Sequence, residues 1–402
     1  MKRVVAITCV TLTLIALPLF ADEPAKTDQT PPTATEEQQT PVEQTPAEPT
    51  TEEVAGKVDS LTEAFTEMKN VVDGLNRMKL SGYIQAQYVN DETSVNSLSG
   101  PTATRNKDQF SIRRGRVKFT YQFAPTSRFV IQPDITTSGV VLKDGYVEFT
   151  EPWTPWHHTL TAGQFNWPFG FEIGYSSSDR EMPERSRVIR TLFPGERDRG
   201  IQFSGLGMAD RFNYKVGVVN GTGTAQSFDF NKRKDIVGRV GGSFGPLDLG
   251  VSLYRGAELV SVAPAAAGRE FDKEREGIDF QYVTPVPGLG VRGEFIRGKQ
   301  PPATGAAAAS ALSADVEGYY FYLIQNLGTQ HQFVVRYDSY DPDSGNDLPN
   351  VIGNAKVGTL GGSYIFHWDA NSKVMVAYEK SKTSGFTDPD DNIFTLRYQY
   401  KF

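Results

Sequence analysis

The stretch "DREMPERSRVIRTLFPGERDRG", residues 179–200, sets six arginines (Arg180, Arg185, Arg187, Arg190, Arg197 and Arg199) among five acids (Asp179, Glu181, Glu184, Glu196 and Asp198). Arginine keeps its charge at any relevant pH, and its planar guanidinium can hold an oxoanion through two N–H groups. Lining a passage, such groups select anions by replacing hydration and raising local concentration. On a solvated loop the same charges would neutralise one another and do nothing. The two readings differ in one respect: whether the flanking segments place this connection outside the molecule or inside a pore.

A second cluster lies upstream in "FSIRRGRVKFTYQF", residues 110–123. Val117, Phe119, Tyr121 and Phe123 form one side of an alternating strand. That phase puts Arg114, Arg116, Lys118, Thr120 and Gln122 on the other side. Phe110 and Ile112 fall on the opposite parity, so the phase slips near Arg113-Arg114-Gly115. A bulge there would let Arg113 and Arg114 face the same way. If the apolar side meets lipid, a charge on it at midplane costs about 2–4 kcal/mol, so the cations belong to the lumen. The alternative is a rim position from which they snorkel. Parity adds Arg239, Lys215, Arg336 and Arg397 as further lumen candidates.

Other chemistries find little support. Of the four histidines, His157 and His158 are adjacent and His331 and His367 stand alone, with no zinc-site spacing. No Ser/His/Asp grouping is visible. Neither an enzyme nor a cofactor is expected, a membrane-bound hydrolase being a weak rival. A nucleic-acid partner is not expected either, because no half of the chain is basic. Residues 1–79 hold 7 Lys/Arg against 13 Asp/Glu, whereas residues 80–402 hold 34 against 35.

Which elements would position these residues? The 402-residue chain opens on "MKRVVAITCVTLTLIALPLFA". Two cations, an apolar run and a small-residue end make residues 1–21 a secretory signal peptide, with an uncleaved anchor as the alternative. The lone cysteine, Cys9, lies inside it. Residues 22–53, rich in Pro, Thr, Glu and Gln, cannot bury enough surface to order and read as a disordered linker. In residues 54–79 the apolar positions Val54, Val58, Leu61, Phe65, Met68, Val72, Leu75 and Met78 follow a heptad seam, which predicts a coiled-coil helix. An amphipathic helix packed on its own domain would share that spacing.

From residue 80 the period becomes two. In "NIFTLRYQYKF" Phe394, Leu396, Tyr398, Tyr400 and Phe402 share one face, and Thr395, Arg397, Gln399 and Lys401 the other. Sixteen strands are expected, at about 80–90, 108–123, 127–137, 140–150, 158–168, 198–205, 211–220, 233–244, 248–257, 273–284, 289–298, 316–326, 331–340, 357–367, 372–382 and 392–402. Long or variable connections alternate with short turns such as "APTS", "GPL" and "DANS", with 138–139 the one short member of the long set. A sandwich has no reason to sort its loops this way; a meandering outer-membrane barrel does. A bilayer leaves no water for backbone groups, so the sheet must close, and sixteen strands enclose an aqueous lumen. The fold expected is all-β: a 16-stranded antiparallel transmembrane barrel over residues 80–402. A mean hydropathy of -0.39 is no objection, since only alternate strand residues meet lipid. Trp153, Trp156, Trp167 and Trp368 near strand ends fit interfacial girdles. The terminal Phe402 behind its aromatic comb also suits outer-membrane assembly.

Three stretches, "FSIRRGRVKFTYQF" (110–123), "GQFNWPFGFEIGYSSSDREMPERS" (163–186) and "TLFPGERDRGIQFSG" (191–205), resemble the phosphate-selective porin O and P family. The resemblance covers residues 80–402. It implies a homotrimer of sixteen-stranded barrels in the Gram-negative outer membrane. It also implies an anion channel narrowed by an inward-folded third loop and lined by arginines, with phosphate as a candidate solute. Arg113 and Arg114 match the family's paired arginines. The heptad segment is similar to the periplasmic extension of some such porins. Three departures bear on selectivity: Asn166 stands where the family has lysine, Glu196 and Asp198 interleave with Arg197 and Arg199, and the barrel is near neutral. A non-selective diffusion porin, or a plugged barrel serving as an anchor, remain the alternatives.

Overall fold

A computed structural model describes residues 50–92, 107–224, 228–261, 268–302, 312–345, 355–385 and 391–402. The signal-peptide segment and nearly all of the linker segment lie outside these. The chain divides into two units, residues 1–64 and 65–402.

The helix α1 spans Thr51–Asn76. It starts within what the sequence reading assigned to the linker, because Thr50 and Glu53 cap it reciprocally: the Thr50 N–H donates to Glu53 at 3.2 Å and the Glu53 N–H to Thr50 Oγ1 at 3.3 Å. Met78, placed in the heptad by spacing, belongs to the first strand. The seam residues Val54, Val58, Leu61, Phe65, Met68, Val72 and Leu75 are all exposed.

The strands are β1 (Met78–Glu92), β2 (Lys107–Ala124), β3 (Ser127–Thr136), β4 (Gly139–Thr150), β5 (Thr159–Asn166), β6 (Arg197–Gly207), β7 (Phe212–Val219), β8 (Asp235–Phe244), β9 (Leu247–Ser261), β10 (Gly268–Val283), β11 (Leu289–Gln300), β12 (Ala314–Leu327), β13 (His331–Asp341), β14 (Val357–His367), β15 (Ser372–Thr383) and β16 (Asp391–Lys401). Each pairs antiparallel with its sequence neighbours, and β1 pairs with β16 to close the barrel. Closure leaves no edge of unpaired backbone groups.

The burial pattern is the inverse of a soluble sandwich. On β16 Leu396, Tyr398 and Tyr400 are exposed, while Thr395, Arg397 and Gln399 are buried. The same inversion gives outward Leu249, Val251 and Leu253 on β9 against inward Ser252 and Tyr254. The wall therefore presents apolar side chains to lipid and polar ones to its interior. Where the phase of β2 slips, the register slips too. Gln85 faces Arg114 and Ala86 faces Ile112, which leaves Arg113 as the extra residue of a bulge.

Candidate functional site

The connection between β5 and β6, residues 167–196, makes hydrogen bonds to nine strands. Gly170 N–H donates to Ser252 of β9 at 2.9 Å, and the Tyr322 hydroxyl of β12 donates to Glu172 at 3.0 Å. Glu181 pairs with Arg292 of β11. Carbonyls of the connection accept from Gln85 of β1 at 2.9 Å, Gln399 of β16 at 2.8 Å and Lys373 of β15 at 3.2 Å. Ser363 of β14, Arg336 of β13 and the arginines of β2 complete the set. Only a segment inside the barrel reaches so many walls. Its apolar residues, among them Phe169, Ile173, Met182, Val188, Ile189, Leu192 and Phe193, pack with inward Val219, Val237, Tyr254, Ile296, Val316 and Val334. A short helix, α2 (Arg187–Leu192), lies against β12 and β13. The connection thus has an apolar keel on one side of the barrel and a charged face toward β1, β2 and β16.

Glu184 is the hub of the charged face. Arg113 Nε donates to it at 2.8 Å, Arg114 Nη2 at 2.9 Å and Arg397 Nη2 at 3.2 Å. Burial pushes the Glu184 carboxyl up, but Arg114, Arg113, Arg397 and Arg180 outweigh it and hold it well below the usual range. Arg180 is buried with all three guanidinium nitrogens lacking an acceptor. Burial, with Arg185 and Arg114 beside it, lowers its affinity for the proton. Arg185 donates to the carbonyls of Glu172, Ile173 and Tyr175 and pairs with Glu196 at 2.5 Å. Arg197 pairs with Asp144 at 2.7 Å and Arg116 with Asp134 at 3.1 Å. Lys118 lines one recess together with Arg116, Arg185 and Arg197.

The structure therefore brings Arg113, Arg114, Arg116, Lys118, Arg180, Arg185 and Arg197 to one side of the interior. It separates the remaining candidates. Arg187 and Arg190 sit on α2, where the Arg187 N–H donates to Asp338 at 3.4 Å and Arg190 is exposed. Arg199 lies apart from the Glu184 cluster, and its guanidinium donates to the Gly223 carbonyl at 3.0 Å. Arg239 faces inward but pairs with Asp279 at 2.6 Å, away from Glu184. Trp167 is a correction, since it is buried against Phe193 rather than sitting in a girdle. Trp153 and Trp368 are exposed beside the short turns.

On a solvated loop the acids of the connection would neutralise its own arginines. Most bond instead to the wall: Asp179 to Lys401, Glu181 to Arg292, Glu184 to Arg113, Arg114 and Arg397. Arg292, Glu294, Tyr320 and Tyr322 went unnoticed. The signal was there in the alternation of β11 and β12, where Val291, Phe295 and Phe321 take the opposite side. Among the described residues no three His, Cys, Asp or Glu side chains converge as metal ligands.

Glu196 gives a pH prediction. Burial raises its carboxyl, while Arg185, Arg180, Arg197 and Lys143 together hold it at about 2. A carboxylate depressed on folding contributes stability that is full above its unfolded value and is lost as pH falls through the folded one. Glu196 should therefore stay ionised from pH 8 to 4. Toward pH 2 neutralisation of Glu196 should raise anion preference. Reversal potentials of the native protein and of Glu196→Gln check this: the two should differ from pH 8 to 4 and converge toward pH 2, and convergence already near pH 5 would contradict it.

A closed sixteen-stranded barrel with a polar interior and an internal third long connection is the architecture of outer-membrane porins. Residues 76–254 match the family described as phosphate-selective porin O and P. The barrel is similar to the anion-selective porin from Comamonas acidovorans, at 13% identity and a TM-score of 0.58, over 81% of this chain and 99% of that one. It is also similar to the outer membrane channel DcaP of Acinetobacter baumannii, at 12% identity and a TM-score of 0.56, over 81% and 97%. A trimer form of OmpT of Vibrio cholerae matches at 10% identity and a TM-score of 0.57, over 81% and 99%. At these identities the likeness carries the fold alone. No curated protein matches the chain in sequence. The matched family model and the barrel fold are those of outer-membrane channels.

Proposed function

We propose that this channel passes small anions, phosphate among them, through a passage narrowed by residues 167–196 and lined by arginines. The reading is carried by the imbalance around Glu184. One carboxylate accepts from three arginines, and Arg180 beside it has no acceptor. A low-dielectric wall focuses that excess of positive charge on the remaining aqueous path. Reversal potentials in planar bilayers under a salt gradient test it: anion-to-cation permeability should exceed one, with chloride conductance reduced by added phosphate. A silent barrel, or a ratio at or below one, would overturn it.

A second reading, diffusion with little ion preference, is favoured by the pairing of Arg185 with Glu196, Arg197 with Asp144 and Arg292 with Glu181. A ratio close to one selects it.

The assembly is proposed as a homotrimer, as in the OmpT trimer form, with an N-terminal signal peptide removed on export. The linker and α1 then lie in the periplasm, where the exposed heptad seam forms a three-stranded coiled coil. Leu61→Glu with Phe65→Glu puts charge into that seam. The double variant should form trimers that dissociate at lower temperature on native gels while conductance per channel is unchanged. Equal trimer stability would count against the coiled coil.

A further inference from the structure

We propose that the barrel holds a second solute site, a recess facing the periplasm that takes dipolar solutes carrying both an ammonium and a carboxylate, of the size of a short peptide. The proposal rests on the water-filled interior of the channel reading but not on its anion preference.

The recess has a volume of about 560 Å³ and lies between residues 166–175 and the inner face of β6 to β10. Leu206, Asn213, Ser243 and Asp248 place it beside the short turns 208–211 and 245–246. In barrels of this kind the short turns are periplasmic. Three charged side chains dominate its wall: Lys215, Arg239 and Asp248.

Arg239 is already satisfied. It donates to both carboxylate oxygens of Asp279, at 2.6 and 2.9 Å, and to Asn213 at 3.1 Å. Lys215 stands directly across from it in the β7–β8 register. Among the described residues, neither Lys215 nor Asp248 has an ion-pair or hydrogen-bond partner. Asp248 pairs in register with Ser243 on one side and Gln281 on the other. The recess therefore offers one free ammonium and one free carboxylate, with Arg239 neutralised between them.

Their spacing limits what fits. From the Arg239 level to the Ser243 level is four residues of β8, roughly 13 Å at about 3.3 Å per residue. The lysine stem can shorten that gap, which leaves a span suited to the two ends of a dipeptide rather than to one compact ion. A simple anion would satisfy Lys215 and be repelled by Asp248. A simple cation would do the reverse. Only a solute bearing both charges pairs with both groups. The roof adds an apolar contact: the rings of Phe171 and Tyr175 lie 5.0 Å apart and both line the recess, half-buried.

The test uses the full-length protein in detergent and three probes: glycylphenylalanine, its N-acetyl derivative and its C-terminal amide. Binding is read by saturation-transfer NMR and titration calorimetry. The zwitterion should bind on the order of tenfold tighter than either blocked form, since each lacks one charged contact. Lys215→Met should erase the advantage over the amide, and Asp248→Asn the advantage over the acetylated form. Equal binding of the three probes, no binding, or an unchanged order in Asp248→Asn would overturn the proposal. Conductance in planar bilayers is measured on the same preparations. Binding by a silent barrel sinks the channel reading and leaves the recess. A conducting barrel without binding does the opposite.

Discussion

Reversing Arg113 and Arg114 together to glutamate should turn the channel from anions toward cations. In the native protein the two guanidinium groups reach Glu184 from one bulge, Arg113 Nε at 2.8 Å and Arg114 Nη2 at 2.9 Å. The double change replaces two positive charges by two negative ones beside a carboxylate that stays ionised. Three acids would then face Arg397, which reaches Glu184 at 3.2 Å, and the acceptor-less Arg180. Local potentials in clefts of this kind change ion concentrations by about tenfold or more, so the permeability ratio should cross one. The buried partner also has a structural cost. Arg114 donates to Gln85 at 2.9 Å as well, and breaking a buried pair costs about 3–5 kcal/mol. Arg113, with its side chain 41% exposed, separates the two effects. Arg113→Glu alone should move the reversal potential in the same direction with little effect on thermal stability. If the double variant folds and keeps the native ion preference, the Glu184 cluster does not set selectivity.

How much of this was legible beforehand depends on the physics of each feature. The strand count and connection order were, because a bilayer imposes alternation and closure on every strand alike. The bulge at Arg113 was legible as a slip in parity between Ile112 and Val117. The partners of Glu181 and Glu184 were not. Both acids lie within a few residues of several arginines, and nearness in sequence suggested local pairing. The partner of Glu181, Arg292, is 111 residues away, and those of Glu184, Arg113, Arg114 and Arg397, are 71, 70 and 213 away, brought near only by the barrel fold. Trp167 misled for a related reason. An aromatic at a strand end usually marks the membrane interface, but here the chain turns inward at once and Trp167 starts the apolar keel. The free state of Lys215 and Asp248 could not be read from sequence either, since it depends on Asp279 being consumed by Arg239 from two strands away.

The position of the keel is set by a glycine, and filling that glycine should open the channel. Gly318 of β12 points inward beneath α2. A Cβ added there would lie 2.6 Å from Val188 Cγ2, 2.7 Å from Val188 Cβ and 3.0 Å from the Ser339 carbonyl oxygen. Val188 is β-branched, fully buried and held on a helix, so it cannot swing aside as a long side chain would. Gly318→Val therefore forces α2 away from the wall, an overpacking worth about 1–3 kcal/mol. The helix carries Ile189 and Leu192 with it, and it lies just after Glu184, whose carbonyl accepts from Arg336 at 2.7 Å. Displacing α2 should loosen Glu184 from its arginines, so single-channel conductance rises while anion preference falls. The barrel strands, paired on both sides, keep their register. A relief variant distinguishes displacement from general damage: Val188→Ala added to Gly318→Val removes the crowding atoms and should restore much of the native conductance. Native conductance and selectivity in Gly318→Val itself would show that the connection adapts without moving, and that its packing against β12 does not govern the passage.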